Sequence, residues 1–253
     1  MNQPERNIRL LVEYRGTAFA GWQIQKEQTT VQGEITAAIE RVTGERATVT
    51  GAGRTDAGVH ALGQVANFAI SHRLEPERYA EALNYYLPDD IRVKRSEEVP
   101  REFSARFDAR FRRYRYLVGR ERSAIYRDLR WEHTEPIIFD RLQEAAGMVL
   151  GENDFTPFCV VASRLENNHC TIEHSRWYAL GPLLIYEIRG NRFLHSMVRS
   201  LVGAMINLAA ETPDRHPANL TLADFGDIMK IPSETRVPFT APAHGLYLVS
   251  VGY

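Results

Sequence analysis

The spacing of apolar and polar positions changes repeatedly along the chain and divides it into short elements. Residues 7–14, Asn-Ile-Arg-Leu-Leu-Val-Glu-Tyr, are rich in branched and aromatic side chains and predict a strand, turned by Tyr14-Arg15-Gly16-Thr17. Apolar side chains at 31, 35, 38, 39 and 42 follow helical spacing, with Thr30 as the N-cap. Residues 47–50 predict a strand leading into a glycine loop, and 63–70 predict another. Residues 75–87 read as a helix with Pro76 near its first turn, and 91–96 as a strand. The order β-α-β, loop, β-α-β is the split pattern of ferredoxin-like folds, an antiparallel sheet with helices on one face.

A second series follows. Residues 114–118 alternate as a strand, 139–150 form a helix closed by Gly151, and 173–180 with 183–189 form a hairpin around Gly181-Pro182. Residues 193–210 predict a long helix, 222–230 a shorter one and 246–251 a closing strand, while 152–169 lack periodicity and read as a long loop. The expected fold class is α+β: two ferredoxin-like halves, 1–105 and 106–253, sharing a continuous antiparallel sheet with helices on one face.

With 253 residues, 44% hydrophobic and 25% charged, the chain reads as an ordinary globular protein of one large or two small domains. No apolar run is long enough to span a bilayer, so no membrane is expected. The polar start has no signal-peptide core after it, which predicts a cytoplasmic protein. Cys159 and Cys170 are then expected as free thiols. The histidines and cysteines show no Cys-x-x-Cys or His-x-x-x-His spacing, which leaves a zinc site poorly supported.

The net charge of −1 conceals a local excess. Residues 101–130 hold ten arginines, no lysine and four acids, a balance of +6. Arginine forks bind phosphate bidentately and stack on bases, so the stripe fits a nucleic-acid footprint. A solvated face balancing acids elsewhere is the bland alternative.

Candidate chemistry centres on Gly51-Ala52-Gly53-Arg54-Thr55-Asp56-Ala57-Gly58-Val59-His60. Glycines bring backbone close to a neighbour. An aspartate in a turn is commonly an Asx-turn former. Held near Arg54, Asp56 would stay ionised and serve as nucleophile or general base. His60 reads as packed or hydrogen-bonded, and the loop lacks nucleotide-phosphate spacing. In Arg112-Arg113-Tyr114-Arg115-Tyr116 the tyrosines share one strand face, either to stack a base or as core aromatics. Arg199 lies beside the apolar stripe Leu194, Met197, Val198, Leu201, Met205 and Leu208, aligned with His195 and Gly203. Half-buried there it wants a carboxylate; exposed it would be a solvated cation.

These residues closely resemble the tRNA pseudouridine synthase A family. The resemblance rests on 53–60 with Gly63-Gln64-Val65, and on Glu13-Tyr14, Gly21-Trp22-Gln23, Thr30-Val31-Gln32, Leu87-Pro88 and Asp90-Ile91. It continues through Phe103, Ala105-Arg106-Phe107, Arg113-Tyr114-Arg115-Tyr116, 151–155, Phe193-Leu194-His195, Met197-Val198-Arg199, Gly203 and Gly245-Leu246-Tyr247, covering essentially the whole chain in order. Asn168-His169-Cys170-Thr171 departs from the pattern, standing where a basic segment is expected.

The resemblance implies an isomerase that converts uridine to pseudouridine at positions 38, 39 and 40 of the tRNA anticodon arm, without a cofactor. It implies Asp56 as the catalytic aspartate, Tyr114 stacked on the flipped uracil, Arg199 paired with Asp56, Arg54 holding the RNA and Leu246 packed near the base. A homodimer, with one tRNA contacting both subunits, is implied too. Three alternatives remain: a catalytically silent RNA-binding protein, a synthase for another tRNA position, and a phosphotransferase. The last would need clustered metal-binding carboxylates, which the sequence does not show.

Overall fold

A computed structural model describes residues 5–211, 220–231 and 233–253. They divide into two compact units, Met1–Arg110 with Tyr247–Tyr253, and Phe111–Leu246. The division falls five residues later than the sequence suggests, and the last strand belongs to the N-terminal unit rather than the C-terminal one. The physical reason is a parallel pairing that no local pattern encodes, described below.

The N-terminal unit runs β1 (Arg6–Tyr14), α1 (Val31–Thr43), β2 (Thr50–Gly51), β3 (His60–Ile70), α2 (Tyr79–Tyr86) and β4 (Ile91–Val99). Its strands lie in the order β4-β1-β3-β2, all antiparallel, as the split β-α-β pattern requires. Ile8, Leu10, Val12 and Tyr14 alternate onto one buried face of β1, and Ile8 and Leu10 stand opposite Phe68 and Ala66 of β3. Val31, Ile35, Ala38 and Ile39 of α1 and Tyr79 and Leu83 of α2 are buried, and the Tyr79 ring meets Phe68 edge-on at 5.5 Å. The Thr30 hydroxyl accepts from Gly33 N, the expected N-cap. The strand expected over 47–50 is shorter, since only Thr50 and Gly51 pair with β3. The C-terminal strand β10 (Leu246–Gly252) joins β3 in parallel, Tyr247 opposite His60 and Leu248 opposite Ala61.

The C-terminal unit holds β5 (Phe111–Gly119), β6 (Trp131–Glu132), α3 (Phe139–Met148), β7 (Gly151–Asp154), β8 (His169–Leu180), β9 (Leu183–Gly190), α4 (Met197–Leu208) and α5 (Leu222–Lys230). Strands β5-β9-β8-β7 pair antiparallel in that order, and β6 pairs with β5 in parallel. Tyr116, Trp177 and Tyr186 are fully buried, and the Ser175 and Tyr186 hydroxyls bond at 2.8 Å. Gln143 of α3 accepts from Trp177 N and donates to Trp177 O, which satisfies the backbone of β8 beyond its pairing with β7.

Two expectations are corrected here. The stretch read as a loop over 152–169 opens with β7, which pairs with β8 through Asn153↔Cys170 and its neighbours. The long helix begins at Met197 rather than 193, because Ser196 adopts the left-handed conformation at φ 60° and stops the helical path. His195 therefore lies outside α4. Of the twelve residues of that helix only Arg199 and Asn207 are not fully buried, so it is enclosed on nearly all sides rather than amphipathic.

Candidate active site

The glycine loop is fixed to the rest of the N-terminal unit at several points. Ala52 N donates to Val65 O at 2.8 Å, and Gln64 Nε2 donates to Gly53 O at 2.7 Å. Thr55 is held twice: its carbonyl accepts from Trp22 N at 3.1 Å and its hydroxyl bonds the Tyr14 phenol at 2.8 Å. Gly58 N reaches Phe19 O, and Val59 N closes a turn onto Asp56 O at 3.1 Å. Gly58 is the third residue of that turn, and its φ of 80° is the value this position demands in a type II turn. His60 Nδ1 accepts from Gly16 N at 3.0 Å, and the imidazole stacks on Tyr247 at 4.7 Å. The histidine is thus packed and hydrogen-bonded, 2% exposed, with its acceptor nitrogen unprotonated. Burial pushes the Tyr247 phenol up to about 12, against the opposing pull of Arg15.

Glycines on the facing segment make this approach sterically possible. A Cβ on Gly16 would stand 2.0 Å from Val59 O, and one on Gly21 would stand 2.6 Å from Thr55 O. Gly51 lies flat on the Trp22 indole, where a Cβ would come within 2.6 Å of three ring atoms. The residue between the loop's inward anchors, Asp56, is half-buried. Arg54 is exposed and has no hydrogen bond or ion pair among the described residues.

In the C-terminal unit, Tyr114 and Tyr116 do share a face of β5, and both are buried. Tyr116 is structural: its hydroxyl donates to Pro242 O at 2.7 Å, and its ring fills the space a side chain at Gly245 would need. Burial raises its phenol well above the usual range, with the Arg199 charge pulling it back. Tyr114, 7% exposed, has Phe193 edge-on at 5.0 Å and 81°. Arg199 sits in the first turn of α4, and its Nε donates to Ala241 O at 2.9 Å while its own carbonyl accepts from Ala241 N. Gly203, one turn on, lets the same segment approach, since a Cβ there would stand 3.1 Å from Ala241 N. Leu246, 6% exposed, opens β10.

The arginine stripe separates into different roles. Arg115 pairs with Glu187 at 2.6 Å on the other face of β5, and Arg130 is buried, donating to Glu121 O and lying over the Tyr126 ring. Arg101, Arg106, Arg110, Arg120, Arg122 and Arg127 are exposed. The atypical segment is structural: Asn168, 8% exposed, donates to Thr156 Oγ1 and Leu165 O and accepts from Leu165 N, which ties the connection before β8 together. Cys159 and Cys170 are free and buried, and burial raises both thiols. Among the described residues, no cluster of His, Cys, Asp or Glu could hold a metal, and no helix is long and apolar enough to cross a membrane.

A family model described as tRNA pseudouridine synthase matches residues 10–108 and 145–253, which include the whole clamped loop, α4 and β10. The chain belongs to the tRNA pseudouridine synthase family. It is 40% identical over 245 residues to the tRNA pseudouridine synthase A of Brachyspira hyodysenteriae, covering 95% of this chain and 96% of that one. It is 39% identical over 250 residues to the protein of the same name from Acetivibrio thermocellus, covering 98% and 100%. The Chlorobium luteolum protein of that name is 41% identical over 249 residues, with coverage of 98% and 96%. This synthase is thus an isomerase of uridine in RNA, and the clamped loop is the part of its N-terminal unit that carries an acid on fixed backbone.

Sequence reasoning picked out Asp56 but not what holds it. Tyr14, Phe19, Trp22 and Gln64, the residues that anchor the loop, carry no chemistry of their own; Tyr14, Trp22 and Gln64 stand in the family-like motifs, but their anchoring role shows only in the hydrogen bonds. Phe193, which sets its edge against Tyr114, stands in the family-like Phe193-Leu194-His195 motif, but its contact with Tyr114 shows only in the fold.

The clamp makes a prediction. In Gly16→Ala the added methyl has no room beside Val59 O, so the loop must shift. Turnover, measured as release of the uracil C5 proton, should fall about 100-fold, the scale for an ångström of misplacement. Binding of tRNA, measured separately, should change little. Undiminished turnover would show that the close approach does not position the loop.

Proposed function

We propose that this synthase isomerises uridine to pseudouridine at positions 38, 39 and 40 in the anticodon stem-loop of tRNA, with Asp56 as its catalytic residue. The observation that carries the reading is Asp56 itself: a half-buried carboxylate on a loop whose backbone is bonded to β3 and the β1–α1 connection and whose Thr55 hydroxyl bonds Tyr14 of β1. Family membership and relatives named tRNA pseudouridine synthase A support the substrate. The reaction breaks the bond from C1′ to N1 and joins C1′ to C5. The C5 proton leaves and N1 gains one, so no electrons are exchanged and no cofactor is required. An ionised Asp56 has three chemically competent entries: attack on C1′, addition to the uracil ring, or removal of the 2′ proton.

Each entry needs the uridine out of its stack, at a cost of a few kcal/mol. Stacking on Tyr114 would return about 1–3 kcal/mol. Phe193 would hold that ring in orientation, and Leu246 would pack near the base. Arg199 is assigned as the counter-charge of Asp56. Arg54, exposed and without an ion pair among the described residues, is assigned to RNA phosphate. The active form is taken to be a cytoplasmic homodimer in which one tRNA touches both subunits. Recognition by shape rather than sequence suits an enzyme acting on adjacent positions.

One assay tests these assignments. Unmodified tRNA with uridines at 38–40 is incubated with the protein, and pseudouridine is mapped. Wild type should convert those positions and Asp56→Ala none. Binding without conversion by the wild type, or conversion by the variant, refutes the reading. In the same assay Tyr114→Phe should bind tRNA better than Tyr114→Ala, and equal binding would remove the stacking role. Arg54→Ala should raise KM and weaken the salt dependence of binding, whereas Arg199→Ala should lower kcat. The reverse pattern would exchange the two roles.

A further inference from the structure

Phe107 is 79% exposed in the N-terminal unit. Single exposed apolar side chains are common, so exposure alone says little. Here the turn that carries the ring is also closed by its own hydrogen bonds. Ser104 N donates to Asp108 Oδ2 at 2.9 Å, Asp108 N to Ser104 O at 3.1 Å, and Phe107 N to Ser104 Oγ at 3.4 Å, which closes the turn on itself. Beneath it, Ala105 is fully buried, its N donating to Asn67 Oδ1 at 2.9 Å and its carbonyl accepting from the Tyr253 hydroxyl at 2.8 Å. Ala105 packs in one cluster with Val65 and with Ala52, a residue of the catalytic loop. The turn that lifts Phe107 is thus seated on the same core as the loop that carries Asp56.

The chemistry around the ring is cationic. The Arg106 guanidinium lies 5.2 Å from the Phe107 centroid, and Arg101 and Arg110 are exposed on either side in sequence. Asp108, the nearest acid in sequence, is taken up by the turn. With the guanidinium over one face of the ring, the other face is left for an unstacked base, the ring serving for stacking and the cation for phosphate. A stable protein partner would need about 800 Å² on this side. One ring on a narrow turn matches one base instead.

We propose that Phe107 and Arg106 form a second stacking site, for an unpaired base of the RNA other than the target uridine. The proposal rests on tRNA being the substrate. Holding such a base would fix the strand next to the one being opened, so the site acts on RNA binding rather than on bond making.

The test compares Phe107→Ala and Phe107→Trp with wild type, in tRNA binding and in turnover at saturating tRNA. Phe107→Ala should weaken binding roughly five- to 150-fold, the range for removing one base–aromatic stack, with kcat unchanged. Phe107→Trp should bind like the wild type. An abasic substitution at the contacted nucleotide should weaken wild type and leave Phe107→Ala unaffected. Wild-type binding by Phe107→Ala overturns the proposal, as does equal weakening by both variants. A changed oligomeric state in Phe107→Ala also overturns it, because the ring would then be covered by a second copy of the chain. A wild type that converts no uridine would instead sink the functional reading.

Discussion

A carboxylate can act on one bond of a large RNA only if its own backbone stays in place while the RNA is drawn in. Here that constraint is met by backbone packing directly on backbone. Gly16 and Gly21 have no side chain between the β1–α1 connection and the carbonyls of Val59 and Thr55. The facing strands of chain are then close enough to exchange hydrogen bonds through Trp22 N, Phe19 O and Gly16 N. Each such bond is worth about 1 kcal/mol net, but breaking one here strands a polar group in a packed interior. The loop therefore opens as a unit or stays closed.

The C-terminal unit fixes its own residues by a different device. Ser196 takes the left-handed conformation, a strained choice for a residue with a side chain, and the chain then enters α4 with Arg199 in its first turn. Reciprocal hydrogen bonds between Arg199 and Ala241 tie that turn to the segment before β10. Tyr116 buries its ring against Gly245 of the same segment, and its hydroxyl satisfies Pro242 O. Tyr114, two residues earlier on β5, is thus carried on a strand whose neighbouring aromatic is locked.

What could be read from the chain is what short-range physics sets. The Thr30 cap, the hairpin at Gly181, the alternation in β1 and the split β-α-β order all depend on neighbours a few residues apart. The misread elements depend on distant partners. β7 exists because Asn153 meets Cys170, and β10 belongs to the N-terminal unit because Tyr247 meets His60. A two-residue period placed Tyr114 and Tyr116 on one face but could not show that Tyr116 would spend its hydroxyl on Pro242 O. Gly16 and Gly21 were legible as glycines, but the reason for them lies on Val59 and Thr55 of the loop, 43 and 34 residues further along the chain.

The central claim is that the Asp56 loop is assembled before RNA arrives. Hydrogen–deuterium exchange on the RNA-free protein measures this directly, through the amides of Ala52, Gly58 and Val59, which donate to Val65, Phe19 and Asp56. The account predicts that these amides are protected to nearly the same degree as β3, and that adding tRNA changes them little. Exchange at the rate of an unstructured peptide until tRNA is added would contradict it.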